Sequence, residues 1–175
     1  MKTLYLIGGP MGVGKTSVAR ELNRVLPASV MLDGDWCWAA EPFTVTNETK
    51  ELVLDNISHM LRNFLACGAY ENVILCWVMH EQGIIDDILR CVAPDPTEVE
   101  VRVISLVCDA SELVARIHAD VDAGLRDEGS VNRALAYLPL YEGLRSECID
   151  TTASSPAEVA VRIARPRPVN QDCRS

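Results

Sequence analysis

Leu4-Tyr5-Leu6-Ile7, followed by Gly9-Pro10-Met11-Gly12-Val13-Gly14-Lys15-Thr16, is an apolar run entering a segment that fits GxxxxGK[ST] at every fixed position. A helical pattern begins near Thr16, so the segment is a Walker A phosphate-binding loop in a strand–loop–helix setting. Such a loop needs glycine because successive backbone N–H groups converge on a phosphate only where no Cβ intervenes. The helix that follows turns its positive end toward the anion. Lys15 is expected to reach the β- and γ-phosphates of a nucleotide, and the Thr16 hydroxyl to ligate Mg2+. The expected nucleotide-binding set is Gly9, Met11, Gly12, Val13, Gly14, Lys15, Thr16 and Ser17.

Outward from the loop, strand-like runs recur at residues 3–9, 29–33, 72–78, 99–107 and 147–150, separated by segments mostly long enough for helices. The alternation predicts an α/β fold, a parallel sheet with helices on both faces. Helices are expected over residues 15–26, 47–67, 80–92, 110–121, 134–144 with an interruption at Pro139, and 155–164. In the second of these the apolar positions are Leu52, Val53, Ile57, Met60, Leu61, Phe64 and Leu65, and Thr46 or Asn47 is a fair cap. Residues 120–130, with two glycines and mixed charges, read as a mobile insertion. Residues 165–175 hold too little apolar content to pack and are expected to be disordered, leaving a single domain over residues 1–164.

With 175 residues, 49% of them hydrophobic, the chain is long enough for one domain with a full core. No apolar run approaches the length of a membrane span. Met1-Lys2-Thr3 leads straight into the first strand, so a cytoplasmic protein without a signal peptide is expected. The seven cysteines are odd in number and form no CxxC pair, which favours reduced thiols over disulfides or a zinc site. A net charge of −9 and a pI near 4.8 argue against a nucleic-acid partner, because that needs a basic face. A neutral or cationic small molecule is the easier substrate. Monomer and homodimer stay equally open.

Met31-Leu32-Asp33-Gly34-Asp35-Trp36 places two carboxylates two residues apart where the second strand runs out at the carboxyl edge of the sheet. Ligands bind at that edge in open α/β sheets, so both acids could face the γ-phosphate. One can serve the Mg2+ shell while the other accepts a proton from an attacking hydroxyl.

With this pair, the sequence resembles the small P-loop kinases of the shikimate, gluconate and adenylylsulfate kinase type, chloramphenicol phosphotransferase-like proteins included. Those families join an N-terminal Walker A to a DxD or DGD at the end of strand two. The resemblance covers most of residues 1–164 in order of elements. It implies a three-layer P-loop NTPase fold of the nucleoside-monophosphate-kinase-like kind, with five parallel strands in the order 2-3-1-4-5 and a small lid near residues 119–131. It also implies ATP and Mg2+ as cofactors, with Asp33 helping to organise the metal beside Thr16 and Asp35 as general base or substrate-orienting acid. The two roles are exchangeable at this level, since the sequence does not give the directions of the side chains. By the same resemblance Arg116 and Arg126 belong to a lid over the ATP phosphates, supplying fixed positive charge to the transferring group. Arg133 is a third candidate, on the substrate side.

The chain departs from the wider P-loop pattern at its third strand, Val73-Ile74-Leu75-Cys76-Trp77-Val78, which runs into Met79-His80-Glu81 without the usual terminal Asp. Glu81 falls late for a substitute. A hydrolytic motor is thereby disfavoured, and Asp33 carries more of the metal role. Without the base-reading motif of GTPases, ATP is the default donor. Trp36, Trp38 and Trp77 all fall at or just past strand ends and are expected to line one acceptor pocket, in which a positively charged acceptor gains cation–π attraction. His80 is expected to hydrogen-bond the acceptor, and Glu41 with the two aspartates suits an amino-bearing one.

The leading expectation is an ATP- and Mg2+-dependent kinase acting on a hydroxyl of a small molecule, a metabolite or an antibiotic. Its catalytic set is Lys15, Asp33, Asp35 and Arg126. A nucleoside or nucleotide kinase shares the fold but usually needs extra arginines for the acceptor phosphate, and the second helix offers only Arg62. A nucleotide-dependent switch without transfer activity is the alternative from another class.

Overall fold

The first strand, β1 (Lys2–Gly8), alternates its side chains between two apolar layers. In the computed structural model, which describes residues 1–125, 127 and 129–165, it is the centre of a five-stranded parallel sheet. On one side it pairs with β3 (Asn72–Cys76), Leu6 opposite Leu75, and on the other with β4 (Val99–Val107), Leu6 opposite Val103. Outside these lie β2 (Ser29–Asp33) and β5 (Glu147–Asp150), giving the order β2-β3-β1-β4-β5.

Because the central strands are covered on both faces, they read as continuous apolar runs. Tyr5, Ile7, Ile74, Ile104 and Leu106 pack against α1 (Lys15–Val25), α4 (Ala110–Asp122) and α6 (Pro156–Ala164). Leu4, Leu6, Leu32, Val73 and Leu75 pack against α2 (Asn47–Ala66) and α3 (Gln82–Val92). Each such fully buried aliphatic contributes about 1.5–3 kcal/mol relative to exposure. Thr46 starts α2 through a capping box, its hydroxyl accepting from the Thr49 N–H at 3.2 Å. Ser155 and Glu158 do the same for α6. The buried Arg102 donates to the Ile163 carbonyl, closing the far end of α6, and to Glu147 at 3.1 Å.

Several boundaries differ from the sequence reading. The buried stripe of α2 is Val53, Ile57 and Leu61, spaced one turn apart, so Leu52 and Met60 fall on the adjoining face and are exposed. β3 stops at Cys76, leaving Trp77 and Val78 beyond the strand. The helix expected at residues 134–144 begins earlier, as α5 (Ser130–Tyr137). It gives way to a 3-10 helix over Leu138–Gly143, whose second position is Pro139, where no backbone donor is required. The predicted insertion is partly helical, since α4 runs to Asp122. The expected tail at residues 165–175 lies outside the described residues beyond Arg165. No helix among the described residues is long and apolar enough to cross a membrane.

After β2 the chain enters another 3-10 helix, Gly34–Trp38, and then a stretch at residues 39–46 without regular structure before α2 begins. Gly34 is buried under the Trp77 ring, and a Cβ there would collide with the indole. Gly34→Ala is therefore expected to destabilise the fold by about 1–3 kcal/mol, the usual cost of overpacking. Thermal unfolding should show a Tm several degrees lower; an unchanged Tm would mean that Trp77 moves aside freely.

Candidate functional site

The loop between β1 and α1 takes the shape that its glycines allow. Gly12 has φ +82°, and a Cβ there would lie 2.6 Å from Ile117 Cγ1, so both backbone conformation and the close approach of α4 require glycine. Lys15 folds back over the loop, and its Nζ donates to the Pro10 carbonyl at 2.9 Å. The Thr16 hydroxyl donates to Asp33 Oδ2 at 2.8 Å, and Asp33 Oδ1 accepts the Asp35 N–H at 3.1 Å. Asp33 is thus buried and fixed from both sides, whereas Asp35 is exposed two residues farther on.

Cys76 stands opposite Asp33 across the β2–β3 pairing, at the strand end where many P-loop proteins keep an acid. Burial, with the neighbouring Asp33 carboxylate, pushes its thiol up to about 12. At neutral pH the position is uncharged, and Asp33 is left as the acid of this corner. Glu81 does not replace it: its exposed side chain lies 3.3 Å from His80 Nε2, at the start of α3.

A cleft of about 720 Å³ opens over the loop. Met11, Gly12, Gly14, Lys15, Thr16, Ser17, Asp33, Asp35, Trp77, Arg116 and Arg133 all line it, so most of the residues expected from sequence are brought together. A smaller lobe of about 330 Å³ is walled by Asp35, Trp38, Phe43, Trp77 and Val78. Behind the loop a third hollow, of about 210 Å³, is formed by Val13, Gly14, Ser17, Val18, Arg116, Thr151, Ser154, Pro156 and Val159.

Two expected acceptor residues are not on these walls. Trp36 is exposed and lines none of the three hollows. In a 3-10 helix residues three apart share a face, which puts Asp35 with Trp38 and turns Trp36 away. His80 stacks on Tyr137 at 4.4 Å between ring centroids; Tyr137, not His80, reaches the cleft. Arg116 is held at the cleft's edge, with Nε on Glu112 at 2.8 Å, Nη1 on the Val13 carbonyl at 3.2 Å and Nη2 on the Thr151 carbonyl at 2.8 Å. It therefore ties α4 to the loop and to the turn after β5. Arg133 pairs with Asp127 at 2.6 Å and holds that carboxyl below its ordinary range. Arg126 lies outside the described residues. Arg62 donates to the Cys91 carbonyl at 2.7 Å and lines none of the hollows.

Phe43 and Tyr137, and Thr151, Ser154 and Pro156 behind the loop, were missed in the sequence reading. Only Phe43 left a trace there, as one of two phenylalanines close to the tryptophan pair.

A phosphate loop at the head of a 2-3-1-4-5 parallel sheet, with a strand-two aspartate bonded to its threonine, defines a P-loop protein of kinase-like fold. The chain belongs to the family described as AAA domain, whose family model matches residues 6–131. No curated protein matches the sequence. Among solved structures, the tunicamycin resistance protein of Deinococcus radiodurans superposes with a TM-score of 0.66 at 20% identity, over 94% of each chain. A gluconokinase of Sinorhizobium meliloti gives 0.63 at 19%, over 93% of each chain. The shikimate kinase of Acinetobacter baumannii, in complex with shikimate, gives 0.57 at 20%, over 93% of this chain and 90% of that one. At these identities the likeness is one of fold.

Proposed function

We propose that the protein is an ATP- and Mg2+-dependent kinase that transfers the γ-phosphoryl group to a hydroxyl of a small molecule. The observation that carries this reading is the 2.8 Å contact of Thr16 with the buried Asp33, with Asp35 two residues on and open to the same cleft. The names of the fold neighbours, a gluconokinase and a shikimate kinase among them, point the same way.

The hydroxyl and carboxylate at Thr16 and Asp33 are the hard oxygen ligands that suit Mg2+. An ion of this kind is commonly held by one or two protein oxygens together with the phosphates of the substrate. When bound, Mg2+ would neutralise charge building up on the phosphate oxygens. Lys15 and the backbone N–H groups of residues 12–16 would hold the β- and γ-phosphates at the positive end of α1. The hollow behind the loop, with its apolar floor of Val18, Pro156 and Val159, suits the base and ribose of the nucleotide.

Asp35 would accept the proton of the acceptor hydroxyl as its oxygen bonds to the γ-phosphorus and the bond to the β–γ bridging oxygen breaks. Arg62, the one arginine that the second helix offers, donates to a backbone carbonyl and lines none of the hollows, which favours a plain alcohol over a nucleotide as acceptor.

The test is ADP formation from ATP and Mg2+ across a panel of hydroxylated metabolites, antibiotics, nucleosides and nucleoside monophosphates. Acceptor-dependent ADP release is expected with an alcohol. A flat panel from protein that binds ATP would move the reading to a nucleotide-dependent switch.

A further inference from the structure

Resting on the kinase reading, and naming the substrate class of the same site, we infer that the acceptor carries its reacting hydroxyl on a flat apolar ring system. It is an aromatic alcohol in the broad sense, not a polyol. The lobe of about 330 Å³ is a side branch of the main cleft: Asp35, Phe43, Trp77 and Val78 line both, and Trp38 lines the lobe alone. Asp35 thus stands where the two meet. A hydroxyl set at its carboxylate would face the γ-phosphate, with the body that bears it in the lobe.

Trp38, Phe43 and Trp77 gather at the lobe in a chain holding only three tryptophans and two phenylalanines. With Val78 they complete its described lining beyond Asp35, and the polar atoms of those four side chains amount to two indole N–H groups. The Trp77 ring is buried over Gly34, a wall fixed before any ligand arrives. Trp38 and Phe43 meet at 4.9 Å between centroids with their planes tilted by 48°, which folds residues 39–42 into a loop between them. The two rings therefore make a corner, not one flat platform. A polyol in this corner would set several hydroxyls against ring carbons, where they lose water without gaining a partner. A flat ring meets the same walls by offset stacking or edge-to-face contact. An apolar cavity of about 150 Å³ already takes up benzene, so the lobe has room for a fused pair of rings. A further group on the acceptor, charged or not, would lie in the main cleft, which Arg133 and Tyr137 line.

The probes are tryptophol and xylitol, both uncharged, so that no ion pair enters the comparison. Each is titrated into isotope-labelled protein and followed through the indole N–H signals of the three tryptophans. Tryptophol is expected to saturate and to shift the Trp38 and Trp77 signals more than that of Trp36, which lines none of the hollows. It should bind at least about tenfold more tightly than xylitol. Phe43→Ser removes an exposed ring, so the protein should fold and bind ATP while tryptophol binding weakens roughly three- to tenfold. Trp38→Leu, which keeps an apolar side chain at the same corner, should weaken it likewise. Xylitol binding as tight as that of tryptophol, no saturable tryptophol binding, a Trp36 signal that moves most, or undiminished affinity in either folded variant would overturn the inference. Should sugars or other polyols drive ADP formation and aromatic alcohols not, the kinase reading stands and this inference falls. Selective tryptophol binding with no ADP formed from any alcohol would leave the lobe its ligand class and remove the kinase reading.

Discussion

Asp35→Asn is expected to lower kcat by about 10²–10⁴-fold with whatever acceptor the protein uses, the range that a positioned general base supplies. The change is nearly isosteric and keeps the backbone N–H that donates to Asp33, so the turn after β2 should hold its shape. The amide cannot take the hydroxyl proton. Nucleotide affinity and Tm should therefore stay close to those of the parent, with the loss confined to the chemical step. Turnover and ADP binding measured on the same preparation check both halves. Full turnover in the variant would strip Asp35 of the role of base.

Lys15→Ala should act at the other end of the cleft. Removing one preorganised donor from a charge-developing centre costs about 10²–10³-fold in kcat, and here the lost donor carries a full charge. In the protein it gives up its hydrogen bond to the Pro10 carbonyl, worth on the order of 1 kcal/mol net. ATP binding and turnover should thus fall steeply while thermal unfolding moves by a few degrees at most. Wild-type turnover by the variant would mean that the loop does not hold the transferring phosphate.

The phosphate end was legible in the sequence because its parts are contiguous: glycines, lysine and threonine stand at fixed offsets between a strand and a helix. Asp33 and Asp35 were legible as a pair for the same reason, but not which of the two is buried and held. That depends on the Thr16 hydroxyl reaching across from α1 to one carboxylate and not the other. The aromatic wall of the cleft was only half readable. Trp38 and Trp36 look equivalent in a string, and the three-residue period of a 3-10 helix separates them. Phe43 comes from a stretch with no periodicity at all, and Thr151, Ser154 and Pro156 from the turn after β5 and the first residue of α6, far along the chain from the loop they adjoin. Tertiary packing alone decides such neighbours. The order of strands rested on resemblance, and the alternation of apolar runs carried only the parallel class.

Gly34, pinned beneath Trp77, divides the segment after β2 into two territories. Upstream, Asp33 is locked to the loop threonine; downstream, residues 35–46 run along the rim with Trp36, Phe43 and Val45 open to solvent. Changes at the exposed positions of the second territory, which spare the Asp35 N–H that holds Asp33, are expected to leave the first where it is. On the proposed kinase reading, natural drift or laboratory recombination at those exposed positions would retarget the protein without rebuilding its phosphate chemistry.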